Sequence, residues 1–283
     1  MSSRPNPTPA RRPIKVAVLV AIAIIAIVAA RRGYTVWHRA QNKAKAHDIR
    51  QALLDEVQPV ALKNCTLRRY GSANDGGYLM CENLLGETQS AYSYGIDTED
   101  NWGCEVSRKL GVTVHQYDCF TPHRPTCENG KFVYHNECIG PRAETLDARP
   151  FDTLTNQIAK NGDSSKTLLV KMDIEGAEWD SLLATPDDVL ARIVQMPMEL
   201  HGVDERRFLE LVRRLKTRFH LVNLHFNNFG CNPEFEPFPA RAYQVLWVNK
   251  RVGVLDPEAP VPAPPSPLNA PDNPSLPDCQ IAR

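Results

Sequence analysis

The sequence predicts an α/β protein of Rossmann-like type, in which helices cover both faces of a mostly parallel sheet. Two observations predict this class, and the composition is compatible with it. Short apolar segments alternate with amphipathic segments along most of the chain. Acidic residues and glycines come directly after several apolar segments, which is where ligands collect in open parallel sheets. The composition, with 42% hydrophobic and 23% charged residues, is that of an ordinary globular protein.

The alternation assigns the elements in chain order. Gly111 ends the first helix, because glycine readily adopts the conformation that follows a last helical turn. The last helix is amphipathic, with Phe208, Leu211 and Leu215 on its apolar face. The predicted strands cover Ala91–Ile96, Val112–Tyr117, Lys131–His135, Thr167–Met172, Ile193–Leu200, His220–Phe226 and Ala242–Val248. The predicted helices cover Trp102–Leu110, Phe151–Lys160, Ala177–Ala184 and Glu205–Arg218.

Composition divides the chain into five segments. Residues 1–15 form a short basic tail, residues 16–33 a transmembrane signal anchor, and residues 34–60 a helical stem. Residues 61–254 form the folded domain. Residues 255–283 hold nine of the 23 prolines, a density that excludes sheet and helix and predicts an extended, disordered tail.

The anchor is predicted from the unbroken apolar run Val16–Ala30. At about 1.5 Å per residue this run spans roughly 22 Å, short of a hydrocarbon core of about 30 Å. Snorkelling of Lys15 and Arg31 on either side extends its reach. A cleaved signal peptide is the alternative, with Val28-Ala29-Ala30 as the small-residue cleavage site. The arginine pair directly after that site favours the uncleaved anchor.

The anchor and the cysteines predict a location. Basic residues flank the anchor on both sides, so the positive-inside rule does not fix its orientation. All eight cysteines follow the anchor, and an even number permits disulfides in an oxidising lumen. Asn64-Cys65-Thr66 is a glycosylation sequon, which agrees with a lumenal domain. We therefore expect a single-pass type II protein of the Golgi or endoplasmic reticulum. The net charge of zero gives no indication of a nucleic-acid partner.

Candidate ligand-binding residues follow three predicted strands. Gly95 and Asp97 end the first strand, and Asp118 ends the second about twenty residues later, where Rossmann units place an acid on a ribose hydroxyl. The run Lys171–Trp179 follows the central strand and holds three carboxylates, with Asp173 nearest the strand end. No Gly-x-Gly-x-x-Gly follows the first strand, which argues against NAD or FAD and for an adenosine ligand without a diphosphate.

Four motifs occur in a fixed order: Asp75-Gly76-Gly77-Tyr78, Tyr92–Ile96, Lys171–Glu178 and Glu199-Leu200-His201. In this order they resemble the FkbM-type S-adenosylmethionine-dependent methyltransferases, closest to the methyltransferase-like protein 24 group. The resemblance covers roughly residues 63–250 and implies a class I methyltransferase fold with S-adenosylmethionine as its cofactor. One departure is the first loop, which lacks the glycine-rich sequence common in class I enzymes.

The resemblance implies roles for particular residues. Asp75-Gly76-Gly77-Tyr78 is a turn signal by composition, and the resemblance implies that it folds over the cofactor with Tyr78 near the sulfonium. Asp173 is expected to face the transferred methyl group, whereas Glu178 is expected to begin a helix. The cofactor-binding residues that the resemblance implies are Asp75, Gly76, Tyr78, Gly95, Asp97, Asp118 and Asp173.

Methyl transfer needs a deprotonated acceptor, and neutral histidine is a suitable base near pH 7. His201 and His225 are the candidates, alongside Asp173 as a catalytic residue. Asp173, Glu199 and His225 are alternatively candidate ligands for Mg²⁺ or Mn²⁺. We expect a membrane-anchored O-methyltransferase acting on a glycan or another hydroxylated acceptor. An inactive binding protein of the same fold and a metal-dependent hydrolase are the alternatives.

Overall fold

Seven strands form one central sheet in the computed structural model, which describes residues 31, 41–121, 123–279 and 281. The strands and helices named below all lie in the unit His47–Arg283. In the unit Met1–Ala46 the structure describes Arg31 and residues 41–46, which are helical. The strands are β1 Leu67–Gly71, β2 Gly77–Cys81, β3 Ser90–Tyr94, β4 Thr113–Tyr117, β5 Lys131–His135, β6 Cys138–Ile139, β7 Glu144–Leu146, β8 Arg149–Asp152, β9 Leu168–Met172, β10 Ile193–His201, β11 Phe219–Phe226 and β12 Ala242–Asn249. The helices are α1 Asn101–Leu110, α2 Leu154–Lys160, α3 Glu178–Leu183, α4 Asp187–Ala191 and α5 Arg206–Arg218.

The sheet has the spatial order β11-β12-β10-β9-β3-β4-β5. Strands β10, β9, β3, β4 and β5 pair in parallel, whereas β12 pairs antiparallel with both β10 and β11. Numbered along the chain within this sheet, the order from β5 is therefore 3-2-1-4-5-7-6. The prediction of an α/β protein with a mostly parallel sheet is confirmed, and the arrangement is compatible with a Rossmann-like fold.

Neighbouring residues of β9 belong to different clusters of buried residues, which shows that both faces of the sheet are covered at this strand. Leu168 and Val170 of β9 belong to one cluster of buried residues, which also contains Phe208 and Leu211 of α5. Leu169, between them, belongs to a second cluster that contains side chains of α1. Because side chains alternate across a strand, a strand buried on both faces reads as a continuous apolar run. This is why the sequence of β9 was recognisable as a central strand.

Several elements were not predicted. These are the hairpin of β1 and β2, the three-stranded sheet β6-β8-β7, and the short helix α4. The helix predicted over Phe151–Lys160 begins later, because Phe151 and Asp152 end β8 and the Thr153 hydroxyl caps the helix by accepting from the backbone N–H of Asn156.

The domain is larger than the predicted 61–254. Residues 47–56 are helical, and Leu53 and Val57 are fully buried in the core of this unit, so this part of the predicted stem belongs to the domain. The predicted transmembrane anchor at 16–33 lies outside the described residues apart from Arg31. Among the helices that are described, none is long and apolar enough to cross a membrane.

The proline-rich tail, expected to be disordered, packs against the domain. Residues 256–279 form no helix or strand, in keeping with their composition. Asn228 nevertheless donates to the backbone carbonyls of Asn273 and Leu276, and Asp272 is buried. A disulfide joins Cys279 to Cys231. Side-chain hydrogen bonds and a covalent link therefore order a segment that cannot form regular structure.

All eight cysteines are paired, as an even number in an oxidising compartment permits. The pairs are Cys65–Cys81, Cys104–Cys127, Cys119–Cys138 and Cys231–Cys279. The side chain of the sequon residue Asn64 makes two hydrogen bonds within the domain. Its amide donates to the Val252 carbonyl, and its oxygen accepts from the backbone N–H of Val254.

Breaking the Cys231–Cys279 disulfide should release the tail. This bond closes a loop of 48 residues, and loss of such a constraint lowers the free energy of unfolding by about 2–4 kcal/mol. We expect the Cys231→Ser/Cys279→Ser double variant to show this loss in denaturant titration and to be cleaved within residues 256–279 by a broad-specificity protease. The Cys104→Ser/Cys127→Ser variant is the control, because its disulfide lies elsewhere and the tail should stay protected. Equal protection of the tail in both variants would contradict the role assigned to this bond.

Candidate functional site

A cavity of about 680 Å³ opens at the carboxyl ends of β3, β4 and β9. Its position is the switch point of the sheet, because the chain leaves β3 toward β4 on one side and returns at β9 on the other. Its volume is in the range of small-molecule sites. A smaller cavity of about 190 Å³ beside the tail is lined by apolar and neutral residues. Six residues predicted to bind a cofactor line the larger cavity: Asp75, Gly76, Gly95, Asp97, Asp118 and Asp173.

Gly95 allows β3 and β9 to end in direct contact. Its φ is +70°, and a Cβ atom there would lie 1.6 Å from the backbone oxygen of Asp173. A glycine at a strand end can let a ligand approach the backbone closely. The structure shows a different cause, because the neighbouring strand end fills the space that a side chain would need. Asp97, two residues on, also has positive φ and lies exposed at the cavity.

Asp118 organises the two loops beside the cavity. One carboxylate oxygen accepts from the backbone N–H groups of Ile96 and Asp97, and the other accepts from those of Phe120 and Thr121. A carboxylate has about four acceptor positions, so these four contacts use all of them. A ribose hydroxyl, the ligand expected for Asp118, would have to displace one of these amides.

The predicted turn at Asp75–Tyr78 leads from β1 into β2. Tyr78, predicted to lie near the sulfonium, is buried within β2 and does not line the cavity. Gly76 has φ +74°, which a turn of this kind requires of one residue. The Tyr78 hydroxyl donates to Asp173 Oδ2 at 2.8 Å. Burial, reinforced by the Asp173 charge, raises the pKa of the Tyr78 phenol well above its usual value. Tyr78 is therefore a fixed donor that orients Asp173.

Lys171 is a functional candidate that we did not predict. Its ammonium group is buried, donates to the backbone oxygens of Tyr94 and Gly95, and lies 3.8 Å from Asp173 Oδ2. It therefore ties the ends of β3 and β9 together and places a positive charge beside Asp173. The signal available in the sequence was a single lysine inside the apolar run Leu168–Met172.

His201 lies at the end of β10, where carboxylates surround its ring. Nδ1 donates to Glu178 Oε1 at 2.7 Å, and Nε2 lies 3.5 Å from Glu199, 3.6 Å from Glu175 and 3.9 Å from Asp173 Oδ1. Burial by itself lowers the pKa of His201, but Glu178 and Glu199 outweigh burial and raise it to about 11. The imidazole is therefore a cation near pH 7, which corrects the expectation that a neutral His201 acts as the base.

Glu178 begins α3, as expected, yet it is fully buried rather than exposed to solvent. Besides His201, its carboxylate accepts from the backbone N–H of Ile174. Glu175 is the exposed acid of the run and has positive φ. The run at 171–179 thus supplies two carboxylates to the cavity lining, Asp173 and Glu175, and one buried counter-ion to His201, Glu178.

His225, expected as a base or metal ligand, is not part of the cavity lining. Its side chain is almost wholly buried in β11, with Nε2 3.2 Å from Asp278 and Nδ1 3.9 Å from Asp272. Both partners belong to the C-terminal tail, and burial lowers the pKa of His225. The structure therefore places His225 under the tail and corrects its assignment to the chemistry at Asp173.

Among the described residues, two sets of three side chains have the spacing of a cation site. Asp173, Glu199 and His201 each bring one ligand atom within 4.8 Å of the others, and so do Asp75, Glu199 and Asp272. The first group contains two of the three predicted ligands, with His201 in place of His225. Burial raises the pKa of Glu199 against the opposing effect of His201, and burial raises the pKa of Asp272 to about 8.

Comparison with known proteins identifies no family. No protein-family model matches the chain, and no curated protein matches it significantly.

Replacing His201 should destabilise the domain in a pH-dependent way. In the His201→Gln variant Glu178 and Glu199 stay buried without their cation, which costs about 3 kcal/mol near pH 7. Because the pKa of His201 is raised, its contribution is complete below about pH 6.5, the unfolded value, and is lost as pH rises toward 11. The difference in unfolding free energy between wild type and variant should therefore shrink from neutral to alkaline pH.

The measurement is denaturant unfolding at several pH values, with EDTA present so that no metal ion competes for the carboxylates. His220→Gln is the control, because His220 is half-buried and has no carboxylate partner among the ion pairs of the described residues. The unfolding free energy of His220→Gln should differ little from that of wild type, and this difference should not change with pH. A His201→Gln difference that is constant from pH 7 to pH 10 would contradict the assigned protonation.

Proposed function

We propose that this chain is an S-adenosylmethionine-dependent O-methyltransferase that acts on a glycan or another hydroxylated acceptor. The observation that carries the proposal is the cavity at the switch point of the sheet, because it gathers the residues that the FkbM resemblance assigns to the cofactor. Asp75 and Gly76 come from the β1–β2 turn, Gly95 and Asp97 from the end of β3, and Asp173 from the end of β9.

The strand order supports the finer assignment to a class I methyltransferase fold. A dinucleotide-binding Rossmann sheet has the order 3-2-1-4-5-6. This sheet has an additional antiparallel strand, β12, inserted between the fifth and sixth strands. An inserted antiparallel seventh strand is typical of the class I methyltransferase fold that the resemblance implies. The first loop also lacks a pyrophosphate cradle, in keeping with a nucleoside ligand that has no diphosphate.

Asp173 is the residue on which the chemistry depends. The bound cofactor supplies an activated methyl group on a sulfonium. Asp173 Oδ2 is held by Tyr78 and lies beside Lys171, which leaves Oδ1 to accept a hydrogen bond from an acceptor hydroxyl in the cavity. In transfer, the acceptor oxygen would take the methyl group from the cofactor, which would leave as a neutral thioether, and Asp173 would accept the hydroxyl proton. The His201 ring lies beside this site, with Nε2 3.9 Å from Asp173 Oδ1.

The disulfides support a lumenal location. Four disulfides in one domain are typical of secreted and lumenal proteins and rare in reducing compartments. With the apolar run at Val16–Ala30 as an uncleaved anchor, the proposed topology is type II, in the Golgi or endoplasmic reticulum. The partners are then the membrane, through this anchor, and a hydroxylated acceptor in the lumen.

Binding of S-adenosylmethionine by the full-length chain is the first test. We expect saturable binding in calorimetry, and transfer of a labelled methyl group to at least one acceptor in a panel of glycans, lipids, proteins and RNA. Absence of cofactor binding would overturn the proposal. Binding without transfer would favour an inactive binding protein, and hydrolysis that needs a divalent ion but no methyl donor would favour a hydrolase.

Asp173→Asn should reduce methyl transfer by about 100-fold or more, because the amide keeps the shape of the side chain but cannot take the acceptor proton. Thermal unfolding should change little. Asp180→Asn is the matched control, since Asp180 is an exposed acid on α3 that pairs with Arg207. Transfer rates that are equal in the two variants would remove Asp173 from the mechanism.

A further inference from the structure

The C-terminal tail brings a buried carboxylate to the edge of the cavity. Asp272 is 2% exposed and lies with Asp75 and Glu199 in a group whose ligand atoms are all within 4.8 Å of one another. Asp75 comes from the β1–β2 turn and Glu199 from β10, so three distant parts of the chain meet at this point. Glu199 is also buried, whereas Asp75 lines the cavity.

The charge of this group is not balanced by the surrounding side chains. Among the described residues, no lysine or arginine nitrogen lies within 4 Å of the three carboxylates, and the histidines His201 and His225 are their only ion-pair partners. Arg69 lowers the pKa of Asp272 from a greater distance, but burial outweighs its effect. Burying carboxylates this close together is unfavourable unless a proton or a cation joins them. The arrangement therefore calls for a further positive charge.

A second observation points to a ligand. Oδ1 of Asp272 accepts from the Gln244 amide at 2.9 Å, but Oδ2 is buried and accepts no hydrogen bond from any described residue. Buried polar atoms without partners are uncommon in folded proteins, and a bound ion is one of the groups that can satisfy such an atom. The side chain is also held in place, because Gln244 belongs to the sheet and cannot move away.

The tail backbone is fixed on both sides of Asp272. The Asn74 amide, next to Asp75, donates to the carbonyl of Pro271, and Asn228 Oδ1 accepts from the backbone N–H of Asn273. The Cys231–Cys279 disulfide anchors the tail further on. These contacts fix the tail at Asp272, so binding of an ion there does not carry the entropic cost of ordering the tail.

We infer that Asp75, Glu199 and Asp272 bind one hard divalent cation, which links the C-terminal tail to the cavity. Three carboxylates without sulfur or imidazole ligands suit Mg²⁺, Mn²⁺ or Ca²⁺ and do not suit zinc or copper. The inference does not depend on methyl transfer. If the proposed function holds, the cation lies at the cavity edge next to Asp75, where it can hold an acceptor oxygen.

The test is titration of metal-free, full-length protein with Mn²⁺, followed by electron paramagnetic resonance of the free ion, without any methyl donor. We expect one Mn²⁺ per chain, and the Asp272→Asn variant should bind it at least tenfold more weakly. Tenfold is a lower bound, because loss of a residue that merely supports a ligand already costs about 10–100-fold in affinity. Asparagine keeps the oxygen that accepts from Gln244, so the variant should fold.

Asp278→Asn is the matched control, because Asp278 is a tail carboxylate that contacts His225 and is not in the group. It should bind Mn²⁺ like the wild type. Mn²⁺ should also raise the thermal midpoint of wild type and control but not of Asp272→Asn. The inference is overturned if wild type binds no Mn²⁺, which would indicate a shared proton, or if Asp272→Asn binds as well as Asp278→Asn does. The inference is also overturned if His201→Gln loses Mn²⁺ binding while Asp272→Asn keeps it, because the ion would then bind at Asp173, Glu199 and His201.

Discussion

Burial of carboxylates at the carboxyl edge of the sheet is the constraint on which the rest of this structure depends. Glu178, Glu199 and Asp272 are almost inaccessible to solvent, and a buried charge is tolerated only when partners compensate it. The His201 cation compensates Glu178 and Glu199 from the end of β10. Glu178 and Glu199 therefore favour the protonated form of His201, and His201 in turn contacts both carboxylates and holds them in place.

This constraint separates the roles of residues that look alike in the sequence. Asp173 and Glu178 belong to one acidic run, yet Asp173 faces the cavity while Glu178 serves as a counter-ion beneath it. His201 and His225 both belong to late strands. Carboxylates raise the pKa of His201 and favour its cation, whereas burial under the tail lowers the pKa of His225 and favours its neutral form. The proposed chemistry at the cavity therefore centres on the Asp173 carboxylate, which Tyr78 and Lys171 contact, rather than on a histidine base.

The disulfide-anchored tail extends the same edge of the sheet. Composition alone indicates a segment without regular structure, and residues 256–279 have none. What orders them is a set of contacts from remote positions, above all Asn228 and Cys231. As a result Asp272 lies close to Glu199 and Asp75, so a region expected to be outside the domain contributes to this group of carboxylates.

The amino-acid sequence was sufficient to predict the elements whose signal is local. The apolar run of β9, the amphipathic pattern of α5 and the glycine after α1 each reflect burial or backbone conformation within a few residues, and each was predicted within a residue or two of its observed bounds. It also placed Gly95, Asp97 and Asp173 at one edge, since carboxyl ends of parallel strands must meet there. The side-chain pairing across that edge became known only from the tertiary structure. Lys171 links the ends of β3 and β9, and the Asp118 carboxylate accepts hydrogen bonds from backbone amides. Asp272, from the C-terminal tail, lies beside Glu199 and Asp75. These outcomes depend on contacts between residues far apart in the chain and on the energetic cost of leaving buried charges unpaired. Neither can be read from residue types and their spacing.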